Sequence, residues 1–192
     1  MKKFVVIGFL LISSLMSSQS IYLNSDVPWT IGVGVNIVDN DGFQFEKPFN
    51  SSSWNFKNPL SLNIERKWRD FFSTNFAITI NQLTKDNKQN NFDLNESSNL
   101  FAVDLTGRFI FDQYIFEQNP RVDPFELYVL AGFGYTYVFS TDTVMFDVGL
   151  GFNFWLFQDV GLRLQTMGKF GFNDYIYLKN YIQHTAEFIF RF

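Results

Sequence analysis

The sequence predicts an all-β fold, an eight-stranded antiparallel up-and-down transmembrane β-barrel, on three observations. Apolar and polar residues alternate with a period of two along most of the chain, as they do in strands with two different faces. After the N-terminal segment, no apolar run approaches the roughly 20 residues that a membrane-spanning helix needs. The chain ends on Phe192, with Phe190 and Phe188 at the alternate positions before it, which gives the last strand one aromatic face.

Composition limits the class of protein. At 192 residues, a single domain is the expectation. There are 26 Phe and no Cys, which excludes a disulfide framework, a thiolate nucleophile and a cysteine-ligated metal. The formal charge of −4 argues against nucleic-acid binding, which needs a basic surface.

The N-terminal residues are typical of a secretory signal peptide. A positive start, Met1 to Lys3, precedes the apolar run from Phe4 to Ile12, and small residues end at Ser20. We expect residues 1–20 to be the signal peptide, with cleavage after Ser20, and residues 21–192 to be the barrel. The apolar run is too short to span a membrane, so the pattern indicates export.

The alternation predicts eight strands of a length that crosses a bilayer at a tilt, about 9–11 residues or slightly more. They cover residues 29–37, 60–68, 72–81, 101–112, 125–137, 144–155, 160–172 and 181–192.

The connections alternate in length, although imperfectly. Tight turns are expected at Arg69-Asp70 and Gln158-Asp159, whereas residues 39–59 and 84–99 are long and polar. If both termini are periplasmic, the long connections are extracellular, as in outer-membrane barrels. Two connections fit this pattern of short inner turns and long outer loops less well. One is a short outer loop at Ser140 to Thr143. The other is a long inner connection at 113–124, which could hold a helical turn or a partner contact.

The two faces of the strands differ in a way that sets their orientation. One phase is bulky Phe, Leu, Val and Ile, and the other is Gly, Asn, Thr and charged residues. Because an eight-stranded barrel is only wide enough for side chains inside, we expect the Gly-rich polar phase in the lumen and the apolar phase against lipid. A soluble lipocalin-like barrel would require the reverse.

The polar phase carries a nearly balanced set of charges that could pair in a lumen of low dielectric. The alternative interpretation is a proton path or a narrow channel. These predicted lumen charges are Glu65, Lys67, Asp104, Arg108, Asp112, Glu126, Asp147, Arg163, Lys169, Glu187 and Arg191.

Aromatic residues near the strand ends are candidates for the interfacial girdles of a membrane protein. Trp29 and Trp68 fall at the predicted inner ends, and Tyr135 and Tyr137 toward the outer ends.

No catalytic, cofactor or metal site is predicted. His184, the only histidine, falls in the lipid-facing phase, where a base could not face a nucleophile in the lumen; we expect an interfacial side chain. The acidic residues at 39–41 and 86–96 match no calcium loop and are interpreted as solvated. We therefore expect no enzymatic activity.

Several runs resemble the barrel domain of OmpA-like outer-membrane proteins of Bacteroidota-type bacteria. They are residues 121–125 (RVDPF), 130–135 (LAGFGY), 149–155 (GLGFNFW) and 161–165 (GLRLQ), together with Lys169 and Gln183-His184. The similarity covers about residues 120–192, and the earlier strands match by pattern only.

This resemblance implies an outer-membrane location and contact with outer-membrane lipid. It also implies that Phe188, Phe190 and Phe192 form the C-terminal signal recognised by the barrel-assembly machinery. A peptidoglycan-binding domain often follows such barrels, and we expect none here. The leading hypothesis is a small non-enzymatic barrel, either an envelope structural protein or an accessory subunit of a larger outer-membrane complex. The alternatives are a narrow channel for small solutes and a secreted lipocalin-like carrier.

Overall fold

A computed structural model describes residues 28–40, 44–51, 54–84, 88–89, 92–93, 97–114, 125–173 and 179–192. The predicted signal peptide and most of the 113–124 connection lie outside this part of the chain. No helix among the described residues is both long and apolar enough to cross a membrane. The strands are β1 (Trp29–Asp39), β2 (Leu60–Arg69), β3 (Phe72–Leu83), β4 (Lys88–Gln89), β5 (Phe92–Asp93), β6 (Ser98–Ile110), β7 (Phe125–Val138), β8 (Thr141–Trp155), β9 (Val160–Gly171) and β10 (Asn180–Arg191).

Eight of these strands close into an antiparallel barrel, which confirms the predicted fold class. The order around the barrel is β1-β10-β9-β8-β7-β6-β3-β2, so each long strand pairs with its neighbour in the chain. β1 and β10 complete the circle from Thr30↔Arg191 to Asp39↔Ile182. The two short strands, β4 and β5, form a separate two-stranded antiparallel sheet. Closure leaves the barrel without an exposed sheet edge.

The alternation of faces follows the predicted phases. In β6, Leu105 is 61% exposed on the outside, whereas its neighbours Asp104 and Thr106 are 1% and 3% exposed inside. The bulky apolar phase points outward in all eight barrel strands, and the Gly-, Asn- and charge-rich phase points inward. A one-residue shift in register would exchange the two faces, so the sequence pattern determines the register.

The two ends of the barrel differ. At the terminal rim, β1 begins, β10 ends, and short turns join β2 to β3 and β8 to β9, as predicted. The loop rim is the opposite end, from which the connections 40–59 and 84–97 leave. Trp29 and Trp68 lie at the terminal rim, and Tyr137 lies near the loop rim.

Several strand ends differ from the prediction by one to three residues, and two of these differences change a connection. β6 ends at Ile110 rather than at residue 112, because the chain turns into a 3-10 helix at Asp112–Tyr114, with the Tyr114 N–H donating to the Phe111 carbonyl at 3.0 Å. The expected loop at Ser140 to Thr143 is a tight turn at Phe139 and Ser140, with φ of 51° and 57°. Positive φ at both central residues suits the twist of a hairpin, but neither residue is the Asn or Gly that signals such a turn.

The connection at 40–59, predicted to be long and polar with solvated residues at 39–41, packs against the barrel in its described parts. Asp39 is 0% exposed, Asn40 2% and Asn55 1%. Because β2 begins only at Leu60, the end of β1 has a partner on the β10 side but none on the β2 side. There Asn55 supplies the missing backbone bonds to Val38, at 3.1 and 2.8 Å. Buried backbone groups must find partners, and this requirement holds the connection at the rim.

Candidate functional site

The lumen is organised around Glu65, a buried carboxylate of β2. It accepts hydrogen bonds from Arg108 Nη1 at 2.6 Å, from Arg163 Nη2 and from the Ser73 hydroxyl. The two arginines belong to β6 and β9, so these ion pairs cross the lumen from one wall to another. Two cations on one carboxylate compensate part of the cost of burying charge.

Arg163, which is 0% exposed, is bound on its other sides as well. Its Nε donates to Asn153 Oδ1 at 2.8 Å, and its Nη1 donates to Asn63 Oδ1 at 2.9 Å. Glu187 lies 3.8 Å from Nη1 and accepts from Ser61 Oγ at 2.6 Å and Asn63 Nδ2 at 2.5 Å. The planar guanidinium therefore connects four barrel strands in one network.

Glu126 forms the part of this network nearest the terminal rim. It lies 3.2 Å from Lys67 Nζ and 3.5 Å from Arg191 Nη2, and it accepts from Asn153 Nδ2 at 2.9 Å. The Arg191 guanidinium lies 3.8 Å from the centre of the Trp155 ring. We call this group the terminal cluster: Glu65, Lys67, Arg108, Glu126, Arg163, Glu187 and Arg191.

A second group, the loop-side cluster, consists of Asp104, Asp147, Lys169 and Tyr181. Lys169 Nζ donates to Asp104 Oδ1 at 2.5 Å and lies 5.5 Å from the centre of the Tyr181 ring. The Tyr181 hydroxyl is bonded to Thr136 at 2.9 Å. Among the described residues, neither carboxylate oxygen of Asp147 has a hydrogen-bond partner, although Asp147 is 0% exposed.

Gly134 makes room for the two carboxylates of this cluster. A Cβ at residue 134 would clash with Asp104 Oδ1 and would lie 2.8 Å from Asp147 Oδ2. Both aspartates therefore converge on the bare backbone of a glycine. One ammonium faces two carboxylates, which leaves this cluster with a formal charge of −1.

The two clusters balance each other. The terminal cluster has three carboxylates and four cations, a formal charge of +1, so the lumen charges cancel when both clusters are counted. Ten of the eleven predicted lumen charges belong to one cluster or the other. Asp112 does not, because β6 ends before it. Lys67 is the least buried of the ten, with 31% of its side chain exposed.

Apolar and amide side chains fill the loop-rim end of the lumen. Asn81 Nδ2 donates to Asn36 Oδ1 at 2.7 Å, and Asn36 Nδ2 donates to the carbonyls of Leu60 and Ile80, both at 2.8 Å.

Little space remains in the described lumen. A gap of about 10 Å³ between the clusters has room for about one water molecule. The buried apolar layer at the loop rim comprises Val38, Leu83, Leu100, Ala102, Val138, Met145 and Tyr181.

Sequence reasoning missed the neutral members of these networks. Asn63 and Asn153 orient Arg163, and Gln165 accepts from Arg108 and from Tyr128, both at 3.0 Å. Their signal was present, because each lies in the inward phase of its strand. Asn153 lies directly opposite Arg163 in the β8–β9 register. The partners of Asn63 and Gln165 were not deducible, because they belong to strands that do not adjoin their own.

His184 faces outward as predicted, but it does not stand alone at an interface. Its Nδ1 bonds to Thr166 and its Nε2 to the Pro48 carbonyl, both at 3.0 Å. The rings of Phe49 and Trp54 lie over it at 5.5 Å. The 40–59 connection therefore folds down over the outer wall at His184.

The remaining predicted site residues lie on the outside of β10 and at its end. Phe188, Phe190 and Phe192 are 54%, 39% and 59% exposed, and their role as an assembly signal stays a prediction. Among the described residues, no cluster of His, Cys, Asp and Glu could hold a metal ion.

Solved structures with the same architecture come from bacterial outer membranes. Neisserial surface protein A matches with a TM-score of 0.53 and 12% identity over 88% of this chain and 98% of its own. The chain has the fold of an outer-membrane β-barrel. The outer-membrane protein OprG of Pseudomonas aeruginosa matches equally well, with a TM-score of 0.53 and 12% identity over 86% of this chain and 96% of its own.

A third match is the Yersinia pestis outer-membrane protein Ail in a phospholipid bilayer nanodisc. Its TM-score is 0.50, with 12% identity over 86% of this chain and 99% of its own. No family model matches this chain, and no curated protein matches it in sequence. At this identity the likeness concerns the fold.

Proposed function

We propose that the protein is a non-enzymatic barrel of a bacterial outer membrane, with both termini periplasmic, that serves as an envelope structural protein or as an accessory subunit of a larger outer-membrane complex. The observation that carries this proposal is the contrast between the two faces. The lumen is filled by neutralising ion pairs, and the outside is apolar.

The outer surface supports a membrane location. Soluble proteins rarely expose large contiguous apolar patches, yet outward side chains such as Leu105, Phe133 and Leu150 are 60–64% exposed and recur on the barrel strands. Lipid would cover this belt. A secreted lipocalin-like carrier is disfavoured, because it would need an apolar cup and the lumen holds ten charged groups.

The filled lumen favours a structural role over transport. Arg163 and Lys169 are 0% exposed and bonded to fixed carboxylates, and the apolar layer covers the loop rim. Ions would have to displace these pairs to pass. Its proposed partners are outer-membrane lipid and any larger complex that it joins. During assembly, the barrel-assembly machinery would bind Phe188, Phe190 and Phe192.

Planar-bilayer conductance tests this proposal. We expect the purified protein to insert without stable, uniform current steps, and the Arg163→Ala variant to lose stability rather than alter selectivity. Arg66→Ala is the matched control, because it removes an arginine from the outer surface rather than from the lumen. Arg66 is exposed, and its guanidinium lies 4.3 Å from the centre of the Trp68 ring. Uniform steps whose ion selectivity shifts with Arg163→Ala but not with Arg66→Ala would establish a narrow channel instead.

A further inference from the structure

The outer wall carries an apolar groove beneath the 40–59 connection. Its volume is about 330 Å³, within the range of about 300–1,000 Å³ typical of small-molecule sites. Its floor includes Ala186 of β10, which pairs with Val35 and Leu164 on the neighbouring strands. Because the outward positions on either side of Ala186 in β10 are His184 and Phe188, the small Ala186 side chain leaves a depression.

The connection provides a roof for this depression. Phe49 and Trp54 line the groove and lie over the His184 ring at 5.5 Å. Both ring nitrogens of His184 are bonded, one to Thr166 and one to the Pro48 carbonyl, so His184 presents no unsatisfied nitrogen to the groove. The far wall is formed by Leu150 and Phe152 of β8.

The exposed side chains of the connection indicate what surrounds it. Phe45, Phe49 and Phe56 are 46%, 72% and 54% exposed, although polar residues dominate this part of the sequence. Phe45 also stacks on the outward Phe170 of β9, with ring centres 5.2 Å apart. Exposed phenylalanines beside the exposed Glu46, Lys47 and Lys57 suit a membrane interface, where apolar side chains reach hydrocarbon and charged ones reach water.

We propose that this groove binds one acyl chain of a membrane phospholipid. The groove lies in the apolar outer belt, and its floor is near the middle of strands β1, β9 and β10. Its lining is mostly aliphatic and aromatic, with Gln165, Thr166 and Thr185 as its polar members besides His184. Recognition would come from the hydrocarbon chain rather than from the headgroup. This inference rests on the proposed membrane location, since only there is the groove in contact with lipid.

Native mass spectrometry of the refolded protein in detergent tests the site. The probe is dioleoyl phosphatidylglycerol, compared with dioleoyl phosphatidylcholine and with the deacylated glycerophosphoglycerol. We expect one molecule of either dioleoyl lipid to stay bound per chain and the deacylated compound neither to bind nor to compete. Ala186→Phe, which fills the floor, should lower the bound fraction about tenfold.

Two further variants make the outcome decisive. Ala131→Phe makes the same change on the outside of β7, three strands away from Ala186, and should bind like the wild type. Phe49→Ser removes part of the roof without altering a barrel strand and should weaken binding as Ala186→Phe does. The heat-dependent shift of folded barrels in gel electrophoresis shows which variants are folded.

Several results would overturn the proposal. One is that the wild type retains no dioleoyl lipid, or that the folded Ala186→Phe and Phe49→Ser variants retain as much of it as the wild type. Another is that Ala131→Phe loses as much bound lipid as Ala186→Phe, or that the deacylated compound displaces the lipid. A dimer peak that Ala186→Phe abolishes would show that the groove binds a second copy of the chain instead. Flotation with vesicles separates this failure from that of the proposed function. A protein that floats but retains no lipid refutes the groove alone, and one that does not float refutes the membrane location.

Discussion

At the scale of single residues, Arg163 has the most demanding environment in the lumen. It contacts Glu65, Glu187, Asn63 and Asn153 while fully buried. Removing one partner of such a network strands the others in a low dielectric, so Arg163→Ala should lower the free energy of unfolding by about 3–5 kcal/mol. Urea unfolding in detergent or lipid measures this loss.

The control for this substitution is Arg66→Ala, which removes the same charge from the outer surface. Arg66 lies over Trp29 and Trp68 at 5.2 and 4.3 Å and has no ion pair among the described residues. We expect little change in stability. Equal losses for the two variants would mean that the lumen network does not contribute as a unit.

The two aspartates of the loop-side cluster should respond differently to the same change. Asp104 is the carboxylate bonded to Lys169, so Asp104→Asn should destabilise by about 3–5 kcal/mol. Asp147 has no hydrogen-bond partner among the described residues, so Asp147→Asn removes a poorly compensated charge and should stay within about 1 kcal/mol of the wild type. The same unfolding measurement decides. A larger cost for Asp147→Asn would show that Lys169 depends on Asp147 instead.

The limits of sequence reasoning are clear in this cluster. The period-two pattern placed Asp104, Asp147 and Lys169 in the lumen, because alternation determines which face a residue occupies. It gave no pairing, because Asp104 and Lys169 belong to β6 and β9, which do not adjoin. Contacts across the lumen depend on the tilt and stagger of the strands. The two-residue alternation of apolar and polar side chains does not determine either of them.

At the scale of elements, the turn between β7 and β8 is strained by its residue types. Ser140 has a φ of 57°, which costs a residue with a Cβ about 1–2 kcal/mol. Ser140→Gly should therefore raise the free energy of unfolding by about 1 kcal/mol. Asn58→Gly, at a φ of 53°, should gain less, since Asn tolerates this conformation. Thermal unfolding of both variants checks the comparison, and a larger gain at Asn58 would contradict it.

The 40–59 connection depends on Asn55. The Asn55 side chain donates to the Val38 carbonyl at 3.2 Å and accepts from the Thr84 N–H at 3.1 Å. Asn55→Ala should leave the barrel intact but release the connection, so that trypsin cleaves faster at Lys47 and Lys57. Limited proteolysis of folded protein measures this rate. Unchanged cleavage would mean that the backbone bridge to Val38 suffices.

This connection also marks where the sequence was least informative. The strands were predicted to within a few residues because their alternation extends over ten or more positions. The connection has no such period, and its polar composition suggested a solvated loop. Its fold depends on two tertiary facts, the late start of β2 at Leu60 and the pairing of His184 with Pro48.

At the scale of the whole molecule, the outer belt should show the depth dependence of a bilayer. Leu105 is near the middle of β6 and 61% exposed, whereas Phe172 is 66% exposed beyond the end of β9 at the loop rim. Leu105→Arg should cost about 2–4 kcal/mol in lipid, and Phe172→Arg about 0–1 kcal/mol. Unfolding titrations in vesicles measure both costs. Equal costs at the two depths would argue against a membrane-spanning belt.

The most direct test of a closed lumen within a lipid-facing wall is the accessibility of single cysteines introduced along β6. The chain has no native cysteine, so each introduced thiol reports on its own position. Single cysteines at Val103 and Leu105 face outward, and those at Ala102 and Thr106 face inward. In proteoliposomes, we expect neither pair to react with a charged maleimide, because the outward pair lies in hydrocarbon and the inward pair in a lumen closed to water, whereas all four cysteines should react once the protein is unfolded. Rapid reaction of the inward pair with the charged reagent would show an open, water-filled lumen. Reaction of the outward pair with it would show that the apolar face lies in water.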